Sequence, residues 1–214
     1  MYRDYIKSFL DLCFALIALI MVLPFITIIA LIIKLEDGGP VTFKQKRFGQ
    51  NKQPFTLYKF RTMNTTAPSE MPTNNLINAD SHITRFGRIM RKFSLDEIPQ
   101  LVNVLRGEMS LVGPRPVILK ETDLIALRQK YKANSCKPGI TGWAQVNGRD
   151  EVRILEKAKM DGEYVRNLGP QMDMKCILMT IHAVLSLKGH KEGADNSTLQ
   201  KERFINLGEN ESQI

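Results

Sequence analysis

Between Asp11 and Lys34 the chain carries no charge, and the stretch LCFALIALIMVLPFITIIALII, from Leu12 to Ile33, is apolar apart from Thr27. As a helix its 22 residues reach about 33 Å, the depth of a bilayer's hydrocarbon core. A cleavable signal peptide is a poor match, because the run is too long and no small-x-small site follows it. The segment is expected to stay on the mature protein. Pro24 stands near its middle, where it removes a backbone donor, clashes with the carbonyl of Ile20 and kinks or breaks a helix. Arg3 and Lys7 precede the segment, and Lys34, Lys44, Lys46 and Arg47 follow it. Basic flanks favour the cytoplasm, so both ends want the same side. A helix that enters one leaflet, bends at Pro24 and returns satisfies that demand, and a kinked single span is the alternative.

The rest of the chain is polar enough to exclude a polytopic membrane protein: 24% of the 214 residues are charged, and the 43% that are hydrophobic exclude wholesale disorder. Thirty Lys and Arg against 22 Asp and Glu give 30 − 22 = +8, which points to an anionic partner such as phosphates, nucleic acid or an acidic lipid surface. No zinc finger, RNP aromatic pattern or bZIP repeat supports nucleic acid. Cys13, Cys136 and Cys176 lie far apart, as do His82, His182 and His190, so neither a disulfide framework nor a zinc site is expected. Reduced thiols fit the cytoplasm.

From Gly38 to Ser69 there are six basic residues and no acidic one, a basic face beside the apolar segment. Apolar and polar residues alternate on both sides of Gly49-Gln50-Asn51, which predicts a β-hairpin from about Val41 to Phe60. NTTAPSEMPTNN, from Asn64, reads as a surface loop. In ITRFGRIMRK, Arg85, Arg88 and Lys92 share a helical face beside Arg91, while Ile83, Phe86, Ile89 and Met90 can face a core. A helical pattern continues through Leu101, Val102, Val104 and Leu105 and stops at Gly107. Helices are expected over Ile118–Lys132, over Glu151–Asn167 and through MDMKCILMTIHAVLSLKG, whose Met174, Ile177, Leu178, Ile181, Val184 and Leu185 recur at helical spacing.

The sharpest chemical feature is SLDEIPQ, with Asp96 and Glu97 beneath the arginine stripe and near Arg115 of the stiff GPRP loop, Gly113 to Pro116. Neighbours on a helix point about 100° apart, so the two carboxylates are expected to take different roles. Nearby cations favour the ionised form, which argues for a carboxylate nucleophile or a Mg²⁺ ligand and against a general acid. The same residues also form a capping box, Ser94-x-x-Glu97, at a helix start. GPRP reads either as a rigid turn or as a clamp that holds an arginine on phosphate.

Taken together, KFRTM (59–63), SLDEIPQLVNVLRGEMSLVGPRP (94–116) and PGITGWAQVNGR (138–149), behind an N-terminal apolar hairpin, resemble the bacterial sugar transferase family of small monotopic phosphoglycosyl transferases. The similarity runs from Tyr2 to about Lys188. The resemblance implies that a UDP-sugar gives its sugar phosphate to undecaprenyl phosphate, yielding undecaprenyl-diphosphate-sugar and UMP. Carried over residue by residue, Asp96 would be the nucleophile that takes up a covalent phosphosugar, and Glu97 would hold the Mg²⁺ cofactor. Arg91 and Arg115, with Lys59 and Arg61, would bind substrate phosphates. Pro138, Gly139, Thr141, Gly142 and Arg149 would belong to the nucleotide-sugar pocket.

The expected architecture is α+β and mainly helical: a re-entrant membrane anchor over 1–36 broken at Pro24, a catalytic domain over 37–189 with a small β-hairpin and a membrane-facing amphipathic C-terminal helix, and a polar tail over 190–214. The expected place is the cytoplasmic face of a bacterial inner membrane, with the phospholipid bilayer and downstream glycosyltransferases as partners and no nucleic acid. Leu23 departs from the serine that relatives often carry before the hairpin proline, with Thr27 about one turn later. A membrane-tethered basic adaptor without catalysis is the rival reading.

Overall fold

The structure, a computed structural model, describes residues 2–67, 79–148 and 152–186. The polar tail at 190–214 and most of the loop after Asn64 lie outside the described residues. A π-helical turn at Tyr2–Ile6 leads into α1 (Lys7–Asp37), followed by β1 (Thr42–Phe48), β2 (Pro54–Phe60), α2 (Ala79–His82), α3 (Arg85–Lys92) and α4 (Gln100–Leu105). Then come β3 (Ser110–Val112), β4 (Val117–Ile118), α5 (Thr122–Lys130), β5 (Gly139–Thr141), α6 (Trp143–Val146), α7 (Ile154–Arg166) and α8 (Pro170–Leu185). The class is α+β and mainly helical, as expected.

The apolar segment corrects one expectation. It is a single helical element that includes Pro24, not two helices separated there. The packing gives the reason. Lys7, Asp11, Ala15, Ile29 and Ile33 are buried, and Ala18, Leu19, Val22 and Ile26 pack partly buried against the same cores. These positions recur every three or four residues, so one face of α1 is held on both sides of the proline. Pro24 is exposed on the opposite face, where the lost backbone bond is local. The other faces present Phe9, Phe14, Ile17, Ile20, Met21 and Phe25 as exposed apolar side chains.

Both ends of α1 are attached to the same body. At its start Lys7 Nζ donates to Asp173 Oδ2 at 2.7 Å, and Asp11 Oδ2 accepts from Ser110 Oγ at 2.6 Å. Asp173 also accepts from Tyr2 OH at 2.8 Å and from Tyr164 OH at 2.7 Å. Burial, reinforced by the Asp173 carboxylate, pushes the Tyr164 phenol far above its ordinary range, so it stays a donor. At the far end Asp37 pairs with Arg61, and Glu36 Oε1 accepts from the Phe86 amide at 3.1 Å.

The hairpin forms as expected, with Thr42 opposite Phe60 and Phe48 opposite Pro54. β4 adds antiparallel to the outer edge of β1, giving the order β2-β1-β4. Ile118 therefore belongs to a strand, and the helix expected from Ile118 begins at Thr122. A second, parallel pair joins β3 to β5. Gly107, at φ 74°, ends α4 in the left-handed region as its position suggested. Ile89 corrects another expectation: Met90 is fully buried, while Ile89 faces outward with Arg85, Arg88 and Lys92. On α8, Cys176 is buried, whereas Met174, Leu178, Ile181 and Leu185 form an exposed apolar stripe.

The free edge of β2 is closed by a side chain. Asn103 of α4, fully buried, accepts from the Tyr58 amide at 3.1 Å and donates to the Thr56 carbonyl at 2.7 Å, in the manner of a neighbouring strand. This contact sets α4 and the residues before it against β2. Asn103→Leu keeps the side chain's branching and heavy-atom count and strands both backbone groups, so it is expected to lower stability by about 3 kcal/mol, read as a fall in the thermal midpoint of detergent-solubilised protein. An unchanged midpoint would contradict the edge-closing role.

Candidate active site

Phe93 and Ser94 end α3 and turn the chain, with Ser94 held at φ 56°. Leu95–Glu97 then form one 3₁₀ turn before Pro99 and α4. The capping box does not form: the Ser94 side chain makes no cap bond, and the Glu97 carboxylate turns elsewhere. It meets Lys59 Nζ at 2.7 Å and Arg115 Nη1 at 3.1 Å through the same oxygen, Oε1. Lys59 Nζ also reaches Asp96 Oδ2 at 3.3 Å. The two neighbouring carboxylates thus converge on one ammonium. Asp96 is only 8% exposed.

The electrostatics follow from this crowding. Burial alone would raise the Glu97 carboxyl, but the charges of Lys59 and Arg115 and their hydrogen bonds outweigh it and hold the group down at about 2. Glu97 is therefore an anion at neutral pH, as the sequence implied for a carboxylate among cations. The second oxygen of each carboxylate, Asp96 Oδ1 and Glu97 Oε2, takes no partner among the described residues. Mg²⁺ is commonly held by one or two carboxylates, its shell completed by water and substrate phosphates. The pair fits that habit, and no cluster of three or more His, Cys, Asp or Glu side chains occurs among the described residues to form a dedicated cage.

Of the four cations expected on phosphate, Lys59 and Arg115 are brought to the dyad. Arg91 lies one turn before it and is braced through Nε on Thr62 Oγ1 at 2.8 Å. Arg61 is buried and committed to Asp37, and a Cβ at Gly39 would overlap its guanidinium. The glycines of the PGITGW segment have a packing reason: a Cβ on Gly139 would overlap the Gly113 amide, and one on Gly142 the Gly113 carbonyl oxygen. Thr141 Oγ1 meets Thr180 Oγ1 of α8 at 2.6 Å, and Pro138 is buried with its carbonyl accepting from the Ser110 amide at 2.8 Å. Arg149 lies outside the described residues. Sequence reasoning missed Arg128 and Asp161, a buried pair beneath the GPRP loop. Nothing in the polar ALRQK stretch that carries Arg128 marks it as inward-facing.

The chain matches the family described as bacterial sugar transferase over residues 2–187. It is 39% identical over 204 residues to the uncharacterized sugar transferase EpsL of Bacillus subtilis (strain 168), covering 95% of this chain and 98% of that protein. It is 36% identical over 197 residues to the exopolysaccharide production protein ExoY of Sinorhizobium fredii, covering 86% of this chain and 87% of ExoY. Similarity to the UDP-glucose:undecaprenyl-phosphate glucose-1-phosphate transferase of Escherichia coli (strain K12) is 39% over 178 residues, 80% of this chain but 38% of that longer protein. The chain belongs to the bacterial sugar transferase family.

The Glu97 carboxyl also sets a pH dependence. Its folded value of about 2 lies below the ordinary 4.5, so the unfolded chain takes up this proton more readily than the folded one. The associated stability is complete above 4.5 and is lost as pH falls toward 2. Across that window the thermal midpoint of the wild type is expected to fall more steeply than that of Glu97→Gln. Parallel curves would contradict the ion cluster.

Proposed function

We propose that the protein transfers a sugar 1-phosphate from a UDP-sugar to undecaprenyl phosphate at the membrane surface and releases UMP, the first membrane step of a glycan's assembly. The observation that carries this reading is the convergence of Asp96 and Glu97 on Lys59, with Arg115 completing the cluster. Phosphoryl transfer depends on positioning and on stabilising charge over the phosphoryl oxygens, and this site concentrates fixed cations around one buried carboxylate. The names of the E. coli relative and of the undecaprenyl-phosphate glucose phosphotransferase of Komagataeibacter xylinus state such a reaction for glucose.

In the proposed mechanism an Asp96 oxygen attacks the β-phosphorus of the donor. The bond from that phosphorus to the bridging oxygen breaks, UMP leaves with the electron pair, and Asp96 carries the sugar phosphate as a mixed anhydride. An oxygen of undecaprenyl phosphate then attacks the same phosphorus and frees the carboxylate. Asp96 and Glu97 would hold Mg²⁺, which when bound neutralises diphosphate charge. Lys59 and Arg115, held beside the carboxylates, stabilise negative charge as it gathers on the phosphoryl oxygens, and Arg91, braced on Thr62, adds positive charge about one turn before the dyad. The donor's nucleotide is assigned to the side of the GPRP loop and the PGITGWAQVNGR segment.

The anchor reading rests on α1. Its two ends are tied to one domain through Lys7–Asp173 and Asp37–Arg61, while its outer faces and the α8 stripe expose apolar side chains. A helix so tethered keeps both ends on one side of the membrane and lays its apolar outer faces against the bilayer, on the side taken here as the cytoplasmic face of a bacterial inner membrane. The polyprenyl acceptor stays in the bilayer, so the site has to come to it. An adaptor without catalysis gives the paired, desolvated dyad no purpose.

Asp96→Asn is expected to reduce UMP release from a panel of UDP-sugars by at least about 10³-fold while leaving the thermal midpoint near that of the wild type. An active, folded variant would remove Asp96 from the nucleophile's role. In a cysteine-free background, Tyr5→Cys and Pro40→Cys are expected to react alike with an impermeant maleimide, both only after permeabilisation. Opposite accessibilities would mean a true span.

A further inference from the structure

Three successive carbonyls of Gly113-Pro114-Arg115-Pro116 are held from outside the loop. Pro114 O accepts from the Gly139 amide at 3.0 Å, Arg115 O from Arg128 Nη1 at 2.8 Å, and Pro116 O from Arg47 Nη1 at 3.0 Å. Pro114 and Pro116 have no N–H of their own, so the loop has few donors with which to anchor itself. External donors fix it, and two of the three are guanidinium groups.

Arg128 comes from α5 and is 3% exposed; its partner, Asp161 of α7, is 1% exposed. Arg128 Nε meets Asp161 Oδ2 at 2.7 Å and Nη2 meets the same oxygen at 2.6 Å. A buried ion pair is weak evidence of stability, because desolvation offsets much of the attraction. Its position is the informative part. Asp161 fixes one edge of the guanidinium and compensates its charge, and the remaining nitrogen is aimed at the backbone of the residue whose side chain reaches Glu97. Without Asp161, an unneutralised cation would sit directly beneath Arg115 and repel it.

We infer that Arg128, held by Asp161, is a positioning residue that fixes the Arg115 guanidinium against Glu97 and, on the functional reading above, against the diphosphate of the donor. Arg128 touches no reacting atom and works through the Arg115 carbonyl. The consequence is a coupled chain running from α7 through α5 to the GPRP loop and the dyad.

The test uses the full chain in nanodiscs and the double variant Arg128→Met/Asp161→Leu, which replaces the pair by apolar side chains of similar volume, a change that cores tolerate. Hydrogen exchange read by mass spectrometry is expected to quicken by about 10-fold in peptides covering 112–118 and 139–142, with the β1–β2 hairpin unchanged. UMP release is expected to lose about 10-fold in kcat in the wild-type background and less than about 2-fold in an Arg115→Ala background, because the pair acts through Arg115. Unaltered exchange at the loop, or equal losses in both backgrounds, would overturn the inference. Asp161→Asn is the milder variant should the double one fail to fold, and it is expected to move the loop's exchange in the same direction. Failure of the wild type to release UMP from any UDP-sugar would count against the functional reading, and the exchange measurement would still decide whether the pair holds the loop.

Discussion

Lys59 is the residue on which the site depends. Two neighbouring carboxylates removed from water repel one another, and burial alone would raise the Glu97 carboxyl. Lys59 lies within reach of both, and Arg115 adds a second cation to Glu97. The three elements that supply these groups, β2, the 3₁₀ turn before α4 and the GPRP loop, are far apart in the chain. Each has its own means of being placed: Asn103 closes β2 against α4, Ser94 turns the chain into the dyad, and guanidinium groups pin the loop. The surrounding fold is largely a frame for bringing these charges together.

The long apolar helix α1 belongs to the same frame. Asp37, the last residue of α1, pairs with Arg61, two residues beyond Lys59 in the chain. Ile29 and Ile33 pack with Phe60 and Met90, and Ala15 with Leu101 and Val104. The apolar segment therefore forms part of the domain's core and also presents its exposed apolar faces. This dual use explains why α1 continues through Pro24: the domain holds one face along the whole length, and the proline weakens only the opposite face.

Much of this was legible in the sequence because it depends on local pattern. Strict alternation around Gly49-Gln50-Asn51 specifies the hairpin, helical spacing specifies α3 and α4, and the crowding of arginines around SLDE implies an ionised carboxylate. The parts that were not legible depend on long-range contacts. β3, β4 and β5 are two or three residues each, too short to show a period of two. Lys7 reads as a membrane flank until Asp173, far along the chain, is seen beside it. The glycines at 139 and 142 look like ligand contacts in the sequence, and the packing role the structure gives them, admitting the backbone of Gly113, was not legible there. Arg128 could not be told from a solvated arginine, because its partner lies on another helix.

The central claim is that Asp96 carries the sugar phosphate, and the most direct measurement looks for that bond. Wild-type protein would be mixed with a UDP-sugar and Mg²⁺ in the absence of lipid acceptor, quenched in acid, digested and read by mass spectrometry. The account predicts a sugar-phosphate adduct on the peptide containing Asp96, lost when undecaprenyl phosphate is added before the quench. Lipid-linked product formed without any such adduct, or an adduct on another residue, would contradict it.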